Sequence, residues 1–324
     1  MNILLCGGAG YIGSHMCRRL ASNNFLIGVL DNLSTGHRAA ANWGHFFLVD
    51  LLDNDALDRV FTQHRFDAVM HFCAKSLVGQ SMASPYEYYE NNVVGTLNLL
   101  RAMHRHGVDK LVFSSTAAVY GHPKSDLIDE RHPTQPINPY GRSKLMVEQM
   151  LADAAHAYGL RSVSLRYFNA AGASSDGLIG EAHEPETHLI PNVLRSVLGR
   201  GPSLRIFGDD YPTVDGTCIR DYVHVEDLAQ AHELALGYMS KHAGAHVFNL
   251  GSGRGFSVRQ VMAAAERVTG QLVKYEVAPR RTGDPAVLVA CSRKAREELG
   301  WSPERDDLDD IVASAWRWHS HARF

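Results

Sequence analysis

Tyr140 and Lys144 are the residues of this sequence whose spacing most directly suggests chemistry. They lie four residues apart in NPYGRSKLMVEQ, where Asn138-Pro139 is a helix-start signal, so both side chains share one face of a predicted helix. A phenol with a pKa near 10 is a poor base at neutral pH. An ammonium about 4 Å away, at an effective dielectric near 20, is worth roughly 4 kcal/mol and would bring that pKa to about 7. The pair therefore predicts a general acid/base.

A hydroxyl-bearing stretch precedes this helix. SSTAAVYG, residues 114–121, follows the apolar run KLVF, and Thr116 is positioned to hydrogen-bond the same substrate oxygen as Tyr140. Ser114 and Ser115 are predicted to satisfy backbone groups at a strand end. By itself, a Tyr-x-x-x-Lys pair is more often an ordinary helix-surface pair. The nearby hydroxyls and the glycine loop described next favour the catalytic interpretation.

Glycines at the N-terminus suggest a phosphate-binding loop. Gly7, Gly10 and Gly13 in NILLCGGAGYIGSH follow a strand pattern and open a helix pattern. Glycines at this spacing permit a tight turn and let backbone N–H groups approach a pyrophosphate at the positive end of a helix. A purely structural glycine turn is the simpler alternative, but its position between a strand and a helix favours a dinucleotide.

Asp31 indicates which dinucleotide binds. It ends the next strand, in GVLDNLSTG, close to the ~20-residue offset at which a carboxylate meets the adenosine ribose hydroxyls. Such a carboxylate repels a 2′-phosphate, so the sequence predicts NAD over NADP. The alternative is an ordinary aspartate that opens a turn with Asn32.

The elements that must position these residues alternate regularly up to about Asn169. Short apolar runs (NILLCGG, FLIGVLDN, HFFLVDL, FDAVMHF, KLVFSS and SVSLRYFN) alternate with amphipathic helical segments. This predicts an α/β, doubly wound Rossmann-type parallel sheet. From residue 170 on, Gly, Pro, Asp and Thr accumulate. We expect a NAD-binding domain over 1–169 and a smaller C-terminal α/β substrate domain over 170–324, with a segment near 219–256 returning to the first sheet.

Composition excludes several other classes of protein. The 324 residues are 45% hydrophobic and 21% charged, with a net charge of −3, so we expect no nucleic-acid partner. The sequence contains no apolar run long enough for a membrane span and begins without a signal-peptide pattern, which predicts a cytoplasmic protein without a membrane partner. Five scattered cysteines predict reduced thiols. HEPETH at 183–188 lacks the spacing of a helical zinc pair and contains Pro185, so no metal site is predicted.

The sequence resembles a known enzyme family over almost its whole length. GGAGYIGSH, LDNLSTG, NNVVGTLNLL, FSSTAAVYG, PYGRSKLMVEQ, LRYFNAAGA, IFGDDYPTVDGTCIRDYVHVEDLA, NLGSG and APRRTGDPA are similar to motifs of the UDP-glucose (UDP-galactose) 4-epimerases of the extended short-chain dehydrogenase/reductase superfamily. The resemblance implies a firmly held NAD that is reduced and reoxidised within one cycle. It also implies that Tyr140 exchanges the proton of the sugar 4-OH, that Thr116 assists, and that Lys144 holds the nicotinamide ribose.

The same resemblance assigns the binding residues. The NAD site is expected to comprise Gly7, Gly10, Tyr11, Ile12, Gly13, Asp31, Asn32, Asp50, Leu51, Phe72, Ala74, Asn91, Tyr140, Lys144 and Phe168. A UDP-sugar is expected to meet Thr116, Asn169, His188, Leu189, Arg205, Phe207, Arg220, Arg281 and Asp284. Two arginines suit a diphosphate through bidentate hydrogen bonds; the alternative for each is a surface ion pair with a neighbouring aspartate. A homodimer is also implied.

Some residues differ from the family motifs, and alternative substrates and functions therefore remain open. Ser76, next to Lys75, stands where some members carry a lysine that touches cofactor and substrate. Leu288 lies where residue size is thought to select the sugar 2-substituent, so UDP-N-acetylglucosamine and UDP-pentoses remain alternative substrates. Sugar-nucleotide dehydratases place acidic residues directly after the threonine; here Ala117 and Ala118 disfavour elimination. A non-catalytic NAD-bound sensor would not need Thr116, Tyr140 and Lys144 together.

Overall fold

The protein was analysed as a computed structural model that describes residues 1–201, 203–281 and 283–324. Its strands are β1 (Asn2–Cys6), β2 (Leu26–Asp31), β3 (His45–Leu48), β4 (Ala68–His71), β5 (Lys110–Thr116), β6 (Arg161–Tyr167), β7 (Asn169–Ala171), β8 (Leu204–Phe207), β9 (Ile219–His224), β10 (Ala245–Leu250), β11 (Gly255–Ser257), β12 (Tyr275–Ala278) and β13 (Val287–Leu288). Its α-helices are α1 (Tyr11–Ser22), α2 (Asn54–Gln63), α3 (Val78–Ala83), α4 (Pro85–Tyr88), α5 (Gly95–Arg105), α6 (Pro139–Tyr158), α7 (Leu189–Val197), α8 (Val225–Met239), α9 (Val258–Thr269) and α10 (Leu308–Ser320).

A seven-stranded sheet joins six strands of the first half of the chain to β10 from the second half. Its order is β10-β6-β5-β4-β1-β2-β3, and every neighbouring pair is parallel. The chain runs outward from β1 through β2 to β3, and then from β4 through β5 and β6 in the other direction. The strand order therefore reverses between β1 and β4, the kind of point at which open α/β sheets bind ligands beyond their carboxyl ends. The predicted fold class is confirmed.

Alternation along each strand explains why both faces of this sheet are covered. In β1, Ile3 and Leu5 point into a core packed by α1 and α8, whereas Leu4 and Cys6 point into a second core packed by α2, α5 and α6. Successive side chains of a strand face opposite sides of a sheet. A strand that is apolar at every position is therefore buried on both faces, as the continuous apolar runs predict.

The remaining strands form smaller sheets. β9 pairs with β7, β11 and β13, and β8 pairs with β12. A third core joins α7, α9 and α10, with Val193, Val261 and Ile311 fully buried. This layer lies in the part of the chain where glycine, proline and aspartate accumulate. Among the described residues, no helix is both long and apolar enough to cross a membrane.

A π-helical turn, Tyr89–Val94, lies between α4 and α5. The wider turn is stabilised by tertiary contacts of Asn92, whose amide donates to the Lys75 carbonyl and to Ser143 Oγ, 3.0 Å in each case. Such π-turns are frequent at functional sites.

Candidate active site

The loop between β1 and α1 has the shape of a phosphate cradle. Gly7 has a φ of +83°, and a Cβ at Gly13 would lie 2.1 Å from the Gly7 carbonyl oxygen, so neither position tolerates a side chain. A Cβ at Gly10, in contrast, would meet only that oxygen, at 3.4 Å. Gly10 is the N-cap of α1, so this roomier side of the loop lies at the positive end of a helix. The loop fits a dinucleotide pyrophosphate.

Asp31 fixes the loop and marks its cofactor preference. Its Oδ2 accepts from the Ala9 N–H at 2.9 Å and its Oδ1 from the Leu33 N–H at 2.8 Å. Burial raises the pKa of this carboxyl, and these two bonds oppose the rise. Asp31 thus opens a turn, as the simpler interpretation has it, and also holds a carboxylate beside the glycine loop. A negative charge there fits a ribose diol and opposes a 2′-phosphate.

Thr116 and Tyr140 meet at the carboxyl end of β5. Thr116 is the last residue of β5, and Tyr140 lies in the first turn of α6, which Asn138 caps by accepting from the Gly141 N–H at 2.8 Å. The Thr116 hydroxyl opposes the effect of burial on the pKa of the Tyr140 phenol, so the two side chains are neighbours. The structure therefore brings together the hydroxyl and the phenol that the sequence pairs.

Lys144 occupies a buried position beside them. Its Nζ donates to the Ser114 carbonyl at 2.8 Å and lies 4.7 Å from the centroid of the Phe113 ring. Burial lowers the pKa of Lys144 to about 7 and raises the pKa of Tyr140 to about 12, against the opposing effect of the Thr116 hydroxyl. The expectation that the lysine brings the phenol to a pKa of about 7 is wrong for the chain itself. Burial sets the direction of the shift, and the Lys144 ammonium donates to the Ser114 carbonyl instead of the phenol.

A buried ion pair supports the end of β5 and was missed from the sequence. Arg166 donates to both oxygens of Glu148, at 2.9 and 2.5 Å, and Ser115 Oγ donates to the same carboxylate at 2.5 Å. Ser115 therefore bonds a side chain and not the backbone, contrary to expectation, and the Ser114 hydroxyl bonds Tyr167. Glu148 lies four residues after Lys144, on the same helical face. That spacing was the available signal.

The other predicted cofactor residues follow strand ends around the glycine loop. The Tyr11 hydroxyl donates to the Gly172 carbonyl at 2.6 Å, and the Asn32 amide donates to Asp50 Oδ2 at 2.8 Å. The Asn91 amide donates to Asn92 Oδ1 at 2.9 Å in the π-helical turn. The rest lie in α1, after β3, after β4 and between β6 and β7, at Ile12, Leu51, Phe72, Ala74 and Phe168.

Most predicted sugar-nucleotide residues lie on or beside the smaller sheets. Arg220 in β9 pairs with Asp284 at 2.5 Å, and the Arg281 guanidinium lies 4.0 Å from the Phe207 ring centroid. The Asn169 amide donates to the Asp221 carbonyl at 2.7 Å. This ion pair matches the alternative given for each arginine, an ion pair with a neighbouring aspartate. To bind a diphosphate with two hydrogen bonds, the Arg220 guanidinium would have to share its donors with Asp284 or release Asp284.

Two cationic side chains are directed to the surface. Arg205 is 62% exposed, and its nearest carboxylate, Glu276, is 3.9 Å away. The structure does not join it to the Arg220–Asp284 pair. Lys75 pairs with Glu87 at 2.5 Å, with both side chains 40% or more exposed. Lys75 is therefore held by Glu87 at the surface and not towards the site.

The start of α7 carries an unanticipated cluster. His188 is the N-cap of α7 and Leu189 its first residue. His188 Nδ1 bonds Glu181, which also receives Nδ1 of His183 at 3.0 Å. The imidazoles lower the pKa of buried Glu181 to about 2, against burial, and Glu181 raises the pKa of His188 to about 9. Sequence reasoning named His188 but missed Glu181.

The comparisons with known proteins all indicate the same enzyme family. Residues 3–251 match the NAD dependent epimerase/dehydratase family. A UDP-glucose 4-epimerase of Halalkalibacterium halodurans is 53% identical over 319 residues, which cover 98% of this chain and 96% of the relative. A crystal structure of a UDP-glucose 4-epimerase superposes with a TM-score of 0.97 at 51% identity, over 99% of this chain and 98% of the other. The Brucella ovis UDP-glucose 4-epimerase in complex with NAD gives 0.95 at 48% identity, over 97% of each chain.

Proposed function

Because the chain belongs to the NAD dependent epimerase/dehydratase family, we propose that it interconverts UDP-glucose and UDP-galactose by NAD-dependent epimerisation at C4 of the sugar. The observation that carries this proposal is the placement of Thr116, the last residue of β5, beside Tyr140 in the first turn of α6, in a chain about half identical to UDP-glucose 4-epimerases over nearly its full length.

The residues present fit NAD. The glycine loop offers backbone N–H groups at the start of α1, and Asp31 offers a carboxylate to the ribose diol. Lys144, buried on α6, would hold the nicotinamide ribose. When bound, NAD supplies the acceptor that takes hydride from the sugar C4 and returns it to the opposite face.

Tyr140 moves the proton that accompanies this hydride. Its phenolate takes the proton of the 4-OH and its phenol returns the proton to the ketone oxygen, while Thr116 donates to the same oxygen and holds it in place. Since burial raises the pKa of Tyr140 to about 12, a phenolate requires positive charge nearby. Protonated Lys144 is the cation that the chain itself supplies.

Elimination and other sugars are the competing activities. After the Thr116 position, Ala117 and Ala118 begin a short 3₁₀ turn, and their methyl groups exchange no protons, which favours epimerisation over dehydration. Leu288 in β13 pairs with Arg220 of β9, and, like Phe168, it packs against the buried cluster that contains Ala117. It is therefore placed to limit the sugar 2-substituent, and UDP-N-acetylglucosamine or a UDP-pentose is the second candidate substrate.

The remaining assignments belong to the same proposal. Residues 1–169 form the cofactor domain, 170–324 form the sugar-nucleotide domain, and a returning segment within 219–256 adds β10 to the first sheet. Arg220, Arg281, Asp284, Asn169 and Phe207 bind the UDP-sugar together with Arg205, His188 and Leu189. The enzyme acts as a homodimer in the cytoplasm.

One incubation tests the substrate. Purified protein is mixed with UDP-galactose without added oxidant, and the nucleotide sugars are separated. We expect UDP-glucose to form, and expect Tyr140→Phe to form far less. Turnover of another UDP-sugar in the absence of UDP-glucose formation would overturn the substrate assignment.

A further inference from the structure

Four side chains able to bind metals converge in the loop between β7 and α7. Glu181, His183, Glu186 and His188 each place one donor atom so that all four atoms lie within 4.8 Å of one another. Glu181 is buried, His183 and Glu186 are half-buried, and His188 is the most exposed of the four. As the sequence indicates, the segment is not a helix. The fold nevertheless brings these four side chains together, although their spacing in the sequence does not fit a helical zinc site.

Hydrogen bonds hold both imidazoles of the cluster on one carboxylate and fix the second carboxylate to the backbone. Glu181 Oε1 receives the Nδ1 atoms of both His183 and His188. Glu186 uses Oε1 to accept from the Thr187 and His188 N–H groups, at 2.7 and 2.9 Å, so its other oxygen remains to bind a ligand. Two carboxylates this close repel each other, and a dication between them would reverse the sign of that interaction.

We propose that Glu181, His183, Glu186 and His188 bind one zinc ion. Two imidazole nitrogens and two carboxylate oxygens form a tetrahedral donor set that zinc accepts, with zinc–ligand distances of about 2.0–2.2 Å and ligand atoms about 3.3 Å apart. The present spacing is wider, so rotation of side chains in the loop must close it. Magnesium and calcium prefer oxygen-only sites, and the two imidazoles disfavour them.

The proposed zinc site is a structural site and not a catalytic one. Four protein ligands leave no open position for water or substrate, so the ion takes no part in the hydride or proton transfers. The Glu181 carbonyl accepts from Trp318 Nε1 of α10 at 2.9 Å, and the His183 ring meets the Tyr11 ring edge-on at 6.3 Å. Zinc would thus fasten the loop between α10 and α1 and fix the start of α7, where His188 and Leu189 lie.

The competing explanation is a metal-free ion pair between Glu181 and the two imidazoles. It accounts for the His183 and His188 bonds, and Glu186 Oε1 accepts two backbone N–H groups without a metal, but it assigns nothing to the second oxygen of Glu186. Metal content distinguishes the two explanations without reference to turnover. A failure of the proposed sugar chemistry would leave the metal result intact.

Zinc binding is measured on the full chain with its NAD. The protein is equilibrated with zinc sulfate, dialysed against metal-free buffer and analysed by plasma mass spectrometry, and we expect about one zinc per chain. Cobalt(II) in place of zinc should give the intense visible absorption of a tetrahedral site. His183→Ala and Glu186→Gln should each weaken zinc binding at least ~10-fold in a chelator competition, whereas His242→Ala, an exposed histidine at the end of α8, should not.

Two results would overturn the proposal: wild-type protein that retains no zinc above the level of a zinc-free control, or both variants retaining wild-type zinc. Glu186→Gln keeps an oxygen for the Thr187 and His188 N–H groups, so it removes the anionic ligand while preserving the loop bonds. Glu186→Gln therefore tests zinc binding even if His183→Ala fails to fold. Circular dichroism and the NAD content verify that each variant is native.

Discussion

The ammonium of Lys144 donates to the carbonyl of Ser114, 2.8 Å away, and so ties α6 to the strand that ends in Thr116. A buried cation in this position destabilises the folded protein, since burial lowers the pKa of Lys144 to about 7. A buried ionisable group with a strongly shifted pKa in such a site is a candidate for function.

Lys144→Met should separate function from stability. Methionine fills similar volume without a charge, so the free energy of unfolding at neutral pH should change by less than ~1.5 kcal/mol. Epimerase turnover should fall at least ~100-fold, because the phenolate of Tyr140 loses its nearby cation. Urea unfolding and UDP-galactose turnover measure the two effects. Wild-type turnover in this variant would exclude the role of Lys144.

Tyr140→Phe should remove the acid/base while the cofactor stays bound. Proton transfer by a positioned side chain contributes ~10²–10⁴-fold, so turnover should fall by that factor. Bound NAD, measured by absorbance after denaturation, should be unchanged because the glycine loop and Asp31 are intact. Tyr158→Phe, at the far end of the same helix and 66% exposed, is the matched control and should behave as wild type.

Gly13→Ala should damage the cofactor site. The added Cβ would lie 2.1 Å from the Gly7 carbonyl oxygen, a backbone atom, so the loop must move and the NAD content of purified protein should drop sharply. Gly237→Ala is the control. Gly237 lies in α8, a Cβ there meets no other described atom within 4 Å, and the change should stabilise the protein by ~0.5–1 kcal/mol. Normal NAD content in Gly13→Ala would show that the cradle tolerates distortion.

Stability should fall as pH falls below 6.5. Burial lowers the pKa of His15 and of His232 to about 4, so between pH 6.5 and about 4 the unfolded chain binds protons that the folded chain does not. The free energy of unfolding then decreases with acidification, by up to ~1.4 kcal/mol per pH unit for each histidine. The slope of urea-unfolding free energy against pH in this range should be smaller in His232→Leu and unchanged in His242→Ala. Equal slopes in all three proteins would refute the assignment.

Breaking the Glu148–Arg166 pair should destabilise the end of β5. The two side chains are 6% and 7% exposed, and removing one partner of a buried pair costs ~3–5 kcal/mol because the other charge is left uncompensated. Arg166→Met should therefore cost more than the double change Arg166→Met with Glu148→Leu. Arg131→Ala, in a surface pair whose arginine is 85% exposed, should cost less than ~1 kcal/mol. Chemical denaturation measures all three variants, and a double variant no more stable than the single one would contradict the argument.

The sequence by itself determined the features that depend on local pattern. Continuous apolar runs predicted the parallel sheet, because strands buried on both faces have no polar side. Gly7, Gly10 and Gly13 predicted the cradle, because their spacing is a property of one turn. Tyr140 and Lys144 could be placed on one helical face for the same reason.

Only the tertiary structure decided what these residues contact. The pKa of Tyr140 is raised and not lowered, because burial depends on the whole fold and outweighs a neighbour four residues away. Glu148 meets Arg166 from another element, and Glu181 and Glu186 join two histidines through a loop without periodicity. Periodicity reports which face of an element is buried. It does not report which side chain of a distant element lies opposite, because that depends on how the helices and loops close over the sheet.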